Sequence, residues 1–245
     1  SSYNQDIFQW NVFEGASSFN QDISRWDVSN VTDMGFMFHR ASLFNQDISQ
    51  WNVSNVTNMS SMFEGASSFN QDISQWDVSN VTNMSYMFLR ASSFNQPLNL
   101  WSVSSVTNME YMFTHASSFN ISSLNSWDVS SVTNMEYMFY GASSFNADIS
   151  EWDVSSVTTM YYMFSLASSF NQDIRGWDVS NVTIMSYMFE YASSFNQNIK
   201  DWDVSNVPYY YFFNMFLGAT LMNNNYGAPS EPNPRYDPWF NLHTP

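Results

Sequence analysis

Large apolar residues follow one fixed order along most of the chain. Ile23, Trp26, Val28, Val31, Met34, Met37, Phe38, Ala41 and Phe44 are separated by polar residues, and the same order returns again and again. Trp26, Trp51, Trp76 and Trp101 stand 25 apart, the step to Trp127 is 26, and Trp152, Trp177 and Trp202 resume the 25. Trp10 precedes Trp26 by only 16, so the first unit is truncated. A period near 25 is the signature of stacked units, none of which can bury its apolar side alone. Within a unit, the run from Ile23 to Val28 alternates in its last part, as a short strand with one buried face does. The intervals of three from Val28 to Met37 predict a tight turn followed by 3₁₀ or short α-helical structure. Each coil then reads as strand, turn, short helix, turn, and the fold class is an α/β repeat solenoid with a Trp/Met/Phe/Val core. Eight coils at about 4.8 Å each make a stack about 40 Å long.

Composition is a property of these columns. All 16 Met and nine of the ten Trp occupy fixed repeat positions, which is how a continuous interior is built and not how a cofactor is held. The Ala column from Ala16 to Ala219 marks a close approach of neighbouring coils. Asn20, Asn45, Asn70, Asn95, Asn120, Asn146, Asn171 and Asn196 never vary, as expected of a structural ladder whose side-chain amides bond the backbone of the adjacent coil. The constant serines, Ser29 through Ser205, are explained by local side-chain bonds that shape a turn.

The pattern I-x-x-W-x-V-x-x-V-x-x-M-x-x-M-F-x-x-A-x-x-F-N resembles the bacterial-type leucine-rich repeat of the BspA-like surface proteins, in its Trp-Asp-Val-Ser-Asn-Val-Thr-Asn-Met form. The resemblance covers roughly residues 1–223. It implies a leucine-rich-repeat solenoid and a place among repetitive surface and secreted proteins. It fixes no activity.

Two Asp columns are not explained by burial. Asp27 lies between inward Trp26 and Val28, and its column continues as Asn52, Asp77, Ser102, Asp128, Asp153, Asp178 and Asp203. Asp6, Asp22, Asp47, Asp72, Asp148 and Asp173 form the second, interrupted by Pro97, Ser123 and Asn198. Like charges one coil apart repel by about 1 kcal/mol in water, so the rows need solvent, salt or a bridging cation. A solubilising acidic face is the plainer account, and calcium held between rows is the sharper one, with no other cofactor implied. The row Asp77, Ser102, Asp128, Asp153, Asp178 and Asp203 is the candidate ligand-binding surface.

With 6 Lys and Arg against 22 Asp and Glu, the net charge of −16 argues against nucleic acid as a direct partner. No apolar run of the length needed to span a bilayer is present. Cysteine is absent, so redox compartment is not encoded. Asn30, Asn55, Asn80 and Asn181 each begin an Asn-Val-Thr sequon just past the Trp-x-Val segment, which predicts glycosylation if the protein is secreted by a eukaryote. "SSYNQDI" opens mid-unit, as expected of a processed chain or part of a longer one. Residues 224–245 abandon the repeat, and their Pro and aromatic content predicts a cap or tail. His39, His115 and His243 share no column and no Cys/His spacing suggests zinc. The segment from Pro97 to Trp127 is a neutral break in the acidic rows. The residues together point to a non-enzymatic extracellular or cell-surface protein serving adhesion or structure. Its expected partner is a protein or polysaccharide surface, or copies of itself in an assembly. A glycan-binding module or a carbohydrate-active solenoid enzyme is the alternative.

Overall fold

A computed structural model describes residues 12–233 and 239–241, so that Asp6, Trp10 and part of the tail at 224–245 lie outside the described residues. The molecule is a repeat solenoid. One continuous core cluster takes in the Ile, Trp, Val, Met, Phe and Ala columns of successive coils.

The local structure differs from the expected strand and helix. In the coil 48–69, the N–H of Trp51 donates to the carbonyl of Ile48 at 3.1 Å, Val56 to Val53 at 2.9 Å, Met62 to Met59 at 3.2 Å, Ala66 to Phe63 at 3.0 Å, and Phe69 to Ala66 at 3.0 Å. Each of these bonds closes a four-residue turn whose first and last members are the apolar pair spaced by three. The interval of three therefore encodes a succession of β-turns, not a 3₁₀ or α-helical run. No extended strand forms from Ile23 to Val28 either. Parallel pairing among the described residues consists of isolated bridges, most of them one column later, from Asp33 through Asn58, Asn83, Asn108, Asn134 and Thr159 to Ile184. Among the described residues helical structure is confined to a 3₁₀ turn, Tyr209–Phe212, and helix α1, Thr220–Tyr226, both at the C-terminal end. Asx side chains accept from the Ser N–H groups at the starts of turns, and other N–H groups are bonded to the next coil, so neither set is left for a helix and turns win.

Stacking of like on like fills the interior. Phe38, Phe63, Phe88, Phe113, Phe139, Phe164, Phe189 and Phe216 form one column with ring centroids 5.5–5.7 Å apart. A second column runs from Phe44 to Phe195, and within a coil the two meet, as Phe63 and Phe69 do at 3.9 Å. Trp101, Trp127, Trp152, Trp177 and Trp202 stack at 6.2–6.5 Å. Their buried indole N–H groups are not stranded: Trp76 Nε1 donates to Ile48 O of the preceding coil at 3.1 Å, and Trp101 Nε1 to Ile73 O at 3.0 Å.

Alternate backbone N–H groups tie each coil to the next. Met59, Ser61, Phe63 and Gly65 donate to the carbonyls of Asn83, Ser85, Met87 and Leu89 at 2.7–3.0 Å. Aiming every second N–H along the stack requires a positive φ at the third residue of the two turns that carry these donors, Met59–Met62 and Phe63–Ala66, as type II turns do. All described non-glycine residues with positive φ fall in two columns, that of Ser61 (φ 54) and that of Gly65 (φ 70). Arg40, Arg90, His115, Leu166 and Tyr191 share the Gly65 column with Gly15, Gly141 and Gly218.

At the C-terminal end, Trp239 and Phe240 are buried against the last coils, Trp239 edge-on to Phe216 at 5.1 Å and Phe240 beside Phe212 at 5.7 Å. Trp239 Nε1 donates to Tyr226 O at 3.0 Å, Asn241 N to Lys200 O at 2.7 Å, and Lys200 Nζ lies 5.5 Å from the Trp239 ring.

Glycine is required where a large neighbour leans across the coil boundary. A Cβ on Gly141, whose φ is 65°, would fall 2.3 Å from His115 Nδ1, and one on Gly218 would fall 2.3 Å from the ring of Tyr191. Gly141→Ala is expected to destabilise the protein by at least about 1 kcal/mol. Adding His115→Ala should recover the steric part and leave the cost of the left-handed backbone. Gly176→Ala, with open space around it and no positive φ, should lie within about 0.5 kcal/mol of wild type. Thermal denaturation of the three variants checks the ordering.

Candidate interaction surface

The Asp columns begin turns. In one coil, Asp72 Oδ1 accepts from Ser74 N at 2.9 Å, Asp77 Oδ1 from Ser79 N at 3.1 Å, and Asn83 Oδ1 from Ser85 N at 3.0 Å. Each Asx residue stands immediately before the first apolar member of a turn, in D-I-S-Q-W, D-V-S-N-V and N-M-S-Y-M. The repeat is thus built on a shorter unit: Asx, apolar, Ser, any residue, apolar. Asp128, Asp153, Asp178 and Asp203 bond Ser130, Ser155, Ser180 and Ser205 in the same way. Asn52 does so without charge, accepting from Ser54 N at 3.1 Å and Ser54 Oγ at 2.7 Å.

At Asp27, Asp77, Asp128 and Asp178 these bonds favour the ionised form. The Ser79 hydroxyl and then its backbone N–H hold the Asp77 carboxyl below its ordinary value, and Asp27, Asp128 and Asp178 are lowered by the same pair of donors. At Asp173 the Arg175 side chain is the largest cause, and the carboxyl sits at about 2. The row of Asp77 is exposed throughout, Ser102 included, and the described Asp residues of the second row are exposed except for half-buried Asp148, so both rows present charge to solvent while shaping the chain.

Asparagine makes two further ladders. Asn45 N donates to Asn20 Oδ1, Asn70 N to Asn45 Oδ1 and Asn95 N to Asn70 Oδ1, each at 2.9 Å, and the series continues through Asn120, Asn146, Asn171 and Asn196. The sequon residues Asn30, Asn55, Asn80 and Asn181 are exposed. Asn55, Asn80 and Asn181 each use Nδ2 to bond a Ser carbonyl of the preceding coil at 2.8 Å.

The neutral break absorbs its extra residue by pairing. Leu124 N donates to Asp148 O at 2.8 Å, Asp148 N to Ser122 O at 3.2 Å, and Leu98 and Leu124 fill the Ile column. Further along, where Gly176 opens the edge, a groove of about 490 Å³ is lined by Glu151, Asp173, Arg175, Asn198 and Asp201. Among the described residues no group of three or more His, Cys, Asp or Glu is placed to hold a metal ion.

One surface was not anticipated. Tyr86, Tyr111, Tyr137, Tyr162 and Tyr187 stack face to face at 4.6, 4.4, 4.7 and 4.2 Å, and the strip ends edge-on against Phe213 at 5.3 Å. All five are half-buried. Burial, followed by neighbouring carboxylates and phenols, raises the hydroxyls of Tyr86, Tyr111, Tyr137 and Tyr162, so they remain neutral.

Residues 8–126 and 115–228 match the family model described as Mycoplasma protein of unknown function, DUF285. The chain belongs to this family. Among curated proteins none matches it. Among solved structures it is similar to a chain of the TLR13–ssRNA13 complex at 10% identity and a TM-score of 0.23, over 79% of this chain and 34% of that one. The chain thus spans about a third of that structure's length, and a likeness at this level carries no argument.

For this DUF285 chain, the tyrosine strip did leave a signal in the sequence. Residue x of M-x-x-M carries Tyr in five consecutive units, a density that an unconstrained surface column has no reason to keep. Among the described residues no helix is long and apolar enough to cross a membrane. The turn role of the Asp rows predicts that Asp77→Asn preserves the fold, since Asn52 already serves there, whereas Asp77→Ala loses up to about 1 kcal/mol. Because the Asp77 pKa is depressed on folding, its stabilisation is present above the unfolded value of about 3.9 and lost as pH falls through the folded one. The difference in unfolding midpoint between wild type and Asp77→Asn should therefore be constant from neutral pH down to about 5 and change only below about 4.

Proposed function

We propose that this is a non-enzymatic extracellular or cell-surface protein of the BspA-like, leucine-rich-repeat type, acting as an adhesion or structural module. The observation that carries this reading is the row Asp77, Asp128, Asp153, Asp178 and Asp203: exposed carboxylates at one phase of the coil, with Ser102 as its gap. A row of this kind offers one weak contact many times over, so it holds a repetitive partner by avidity. That partner is a polysaccharide, a protein surface or further copies of the chain. Calcium enters as a bridge between row and partner, not as a resident ion of a cage. The polar groove beside Arg175 favours glycan binding as the second reading, because carboxylates and a guanidinium pair well with hydroxyl groups.

Glycosylation at Asn30, Asn55, Asn80 or Asn181 belongs to the same proposal. An N-linked sugar leaves one amide hydrogen on the nitrogen, so the bond to the preceding coil need not be lost. Intact mass of native material decides it: a mass equal to that of the bare polypeptide rejects glycosylation and leaves the fold untouched.

Avidity is tested on immobilised glycan and matrix-protein arrays with and without calcium. The single Asp77→Asn change should alter binding by less than about threefold, and the five-fold Asp→Asn change should weaken it by more than about tenfold and reduce its salt dependence. One substitution that removes all binding points instead to a unique site. Five that do nothing restrict the row to turn formation and solubility.

A further inference from the structure

The tyrosine strip lies ten residues beyond Trp in each coil and owes nothing to the Asp rows. Its backbone is costly. Tyr86, Tyr111, Tyr137, Tyr162 and Tyr187 have φ of 61, 56, 54, 55 and 60°, a left-handed region that a bulky residue enters only with strain and where Gly or Asn is preferred. The fold does not demand Tyr at this position. Ser61 and Asn214 occupy the same column, also with positive φ. Strain kept at five successive coils, for a side chain that the architecture can do without, marks that side chain as serving something outside the core.

What the strip presents is fixed in advance. Each tyrosine N–H is bonded to a carbonyl of the next coil, at 2.9 Å for Tyr86, Tyr111, Tyr137 and Tyr187 and 3.1 Å for Tyr162. The stacked rings cover each other's faces, and each of the five residues stays partly exposed. Three carboxylates run beside them and are themselves held in place. Glu110 Oε2 accepts from Asn134 Nδ2 at 2.8 Å, Glu136 Oε1 from Thr159 Oγ1 at 2.9 Å, and Glu190 Oε2 from Ser165 Oγ at 3.0 Å. No Lys or Arg occurs between Arg90 and Arg175, and burial lowers the pKa of His115, so this stretch has no internal counter-charge at neutral pH.

We propose that the strip from Tyr86 to Tyr187, with Glu110, Glu136 and Glu190 along it, is a docking surface for an extended polypeptide segment bearing Lys or Arg. Charge selects among the occupants. A polyanion is repelled, and a second copy would set Glu against Glu on a chain of net charge −16. A cationic segment meets the carboxylates with its charges and the phenol edges with its stems and backbone. Rigid tyrosines are the anchors that protein interfaces favour, because little side-chain freedom remains to be lost on binding. Four coil steps of about 4.8 Å match about six residues of extended chain at about 3.3 Å each.

The test uses fluorescence anisotropy with a labelled decapeptide of alternating Arg and Ser, its Glu–Ser counterpart, and a chitosan oligomer as a cationic probe that is not a peptide. One variant combines Tyr111→Ser, Tyr137→Ser and Tyr162→Ser, introducing the residue the column already carries at Ser61. Another combines Glu110→Ser and Glu136→Ser, as at Ser60 and Ser85, and leaves the stack whole, so it stays decisive if the first fails to fold. The control carries the five Asp→Asn changes of the acidic row. Expected are binding of the Arg–Ser peptide alone, weakened about tenfold or more in each strip variant and within about threefold in the control. The proposal is overturned if wild type does not bind the peptide, if the Glu variant binds as wild type does, if chitosan binds equally well, or if the Asp control loses as much. Since the row and the strip are altered separately, failure of one leaves the other standing.

Discussion

Like stacked on like is the constraint from which the rest of this molecule follows. A Phe column with centroids 5.5–5.7 Å apart and backbone bonds of 2.7–3.0 Å between coils must be satisfied by the same coil spacing. Both conditions hold only if every coil takes the same path, so each position sees its own kind above and below. Ala41, Ala66 and Ala91 are fully buried and stand in sequence between the two Phe of their coils, each closing one turn and opening the next. The indole N–H, which would be costly if stranded in that interior, is accepted by an Ile carbonyl one coil back.

Backbone bonding along the stack imposes the second feature. Turning alternate N–H groups toward the next coil forces a left-handed residue at two points in every unit, at Ser61 and Gly65 in one of them. Glycine answers this at Gly65, Gly141 and Gly218, and large residues answer it at His115 and Tyr191 by leaning over the glycine of the following coil. The strain is spread along the array, at the same two positions of every coil.

Polar side chains in this architecture hold the chain in shape and face solvent at once. The Asp carboxylate that opens a turn through Ser is the same one that gives the surface its charge, and its hydrogen bonds keep it ionised. In the Asp row one carboxylate serves both structure and recognition, and Asn52 shows how the two come apart, because it closes the turn but carries no charge. They are separable in the tyrosine strip, where Ser61 shows that the turn does not need the ring.

Much of this was legible in the residues alone. The period, the inward columns and the common burial of Trp, Met, Phe and Val follow from spacing, because a repeated apolar residue has nowhere to go except a shared interior. The sequence also placed Asp77 and its equivalents outside the core. It did not distinguish consecutive i to i+3 bonds from separate ones, since a helix and a series of turns both space apolar residues by three. That choice was made between coils: N–H groups committed to the next coil are lost to a helix, and the left-handed residues this requires break any helical run. The tyrosine strip was hidden for the same reason. Its members lie 25 or 26 residues apart, and only the stacking of coils brings their rings within 4.2–4.7 Å of one another.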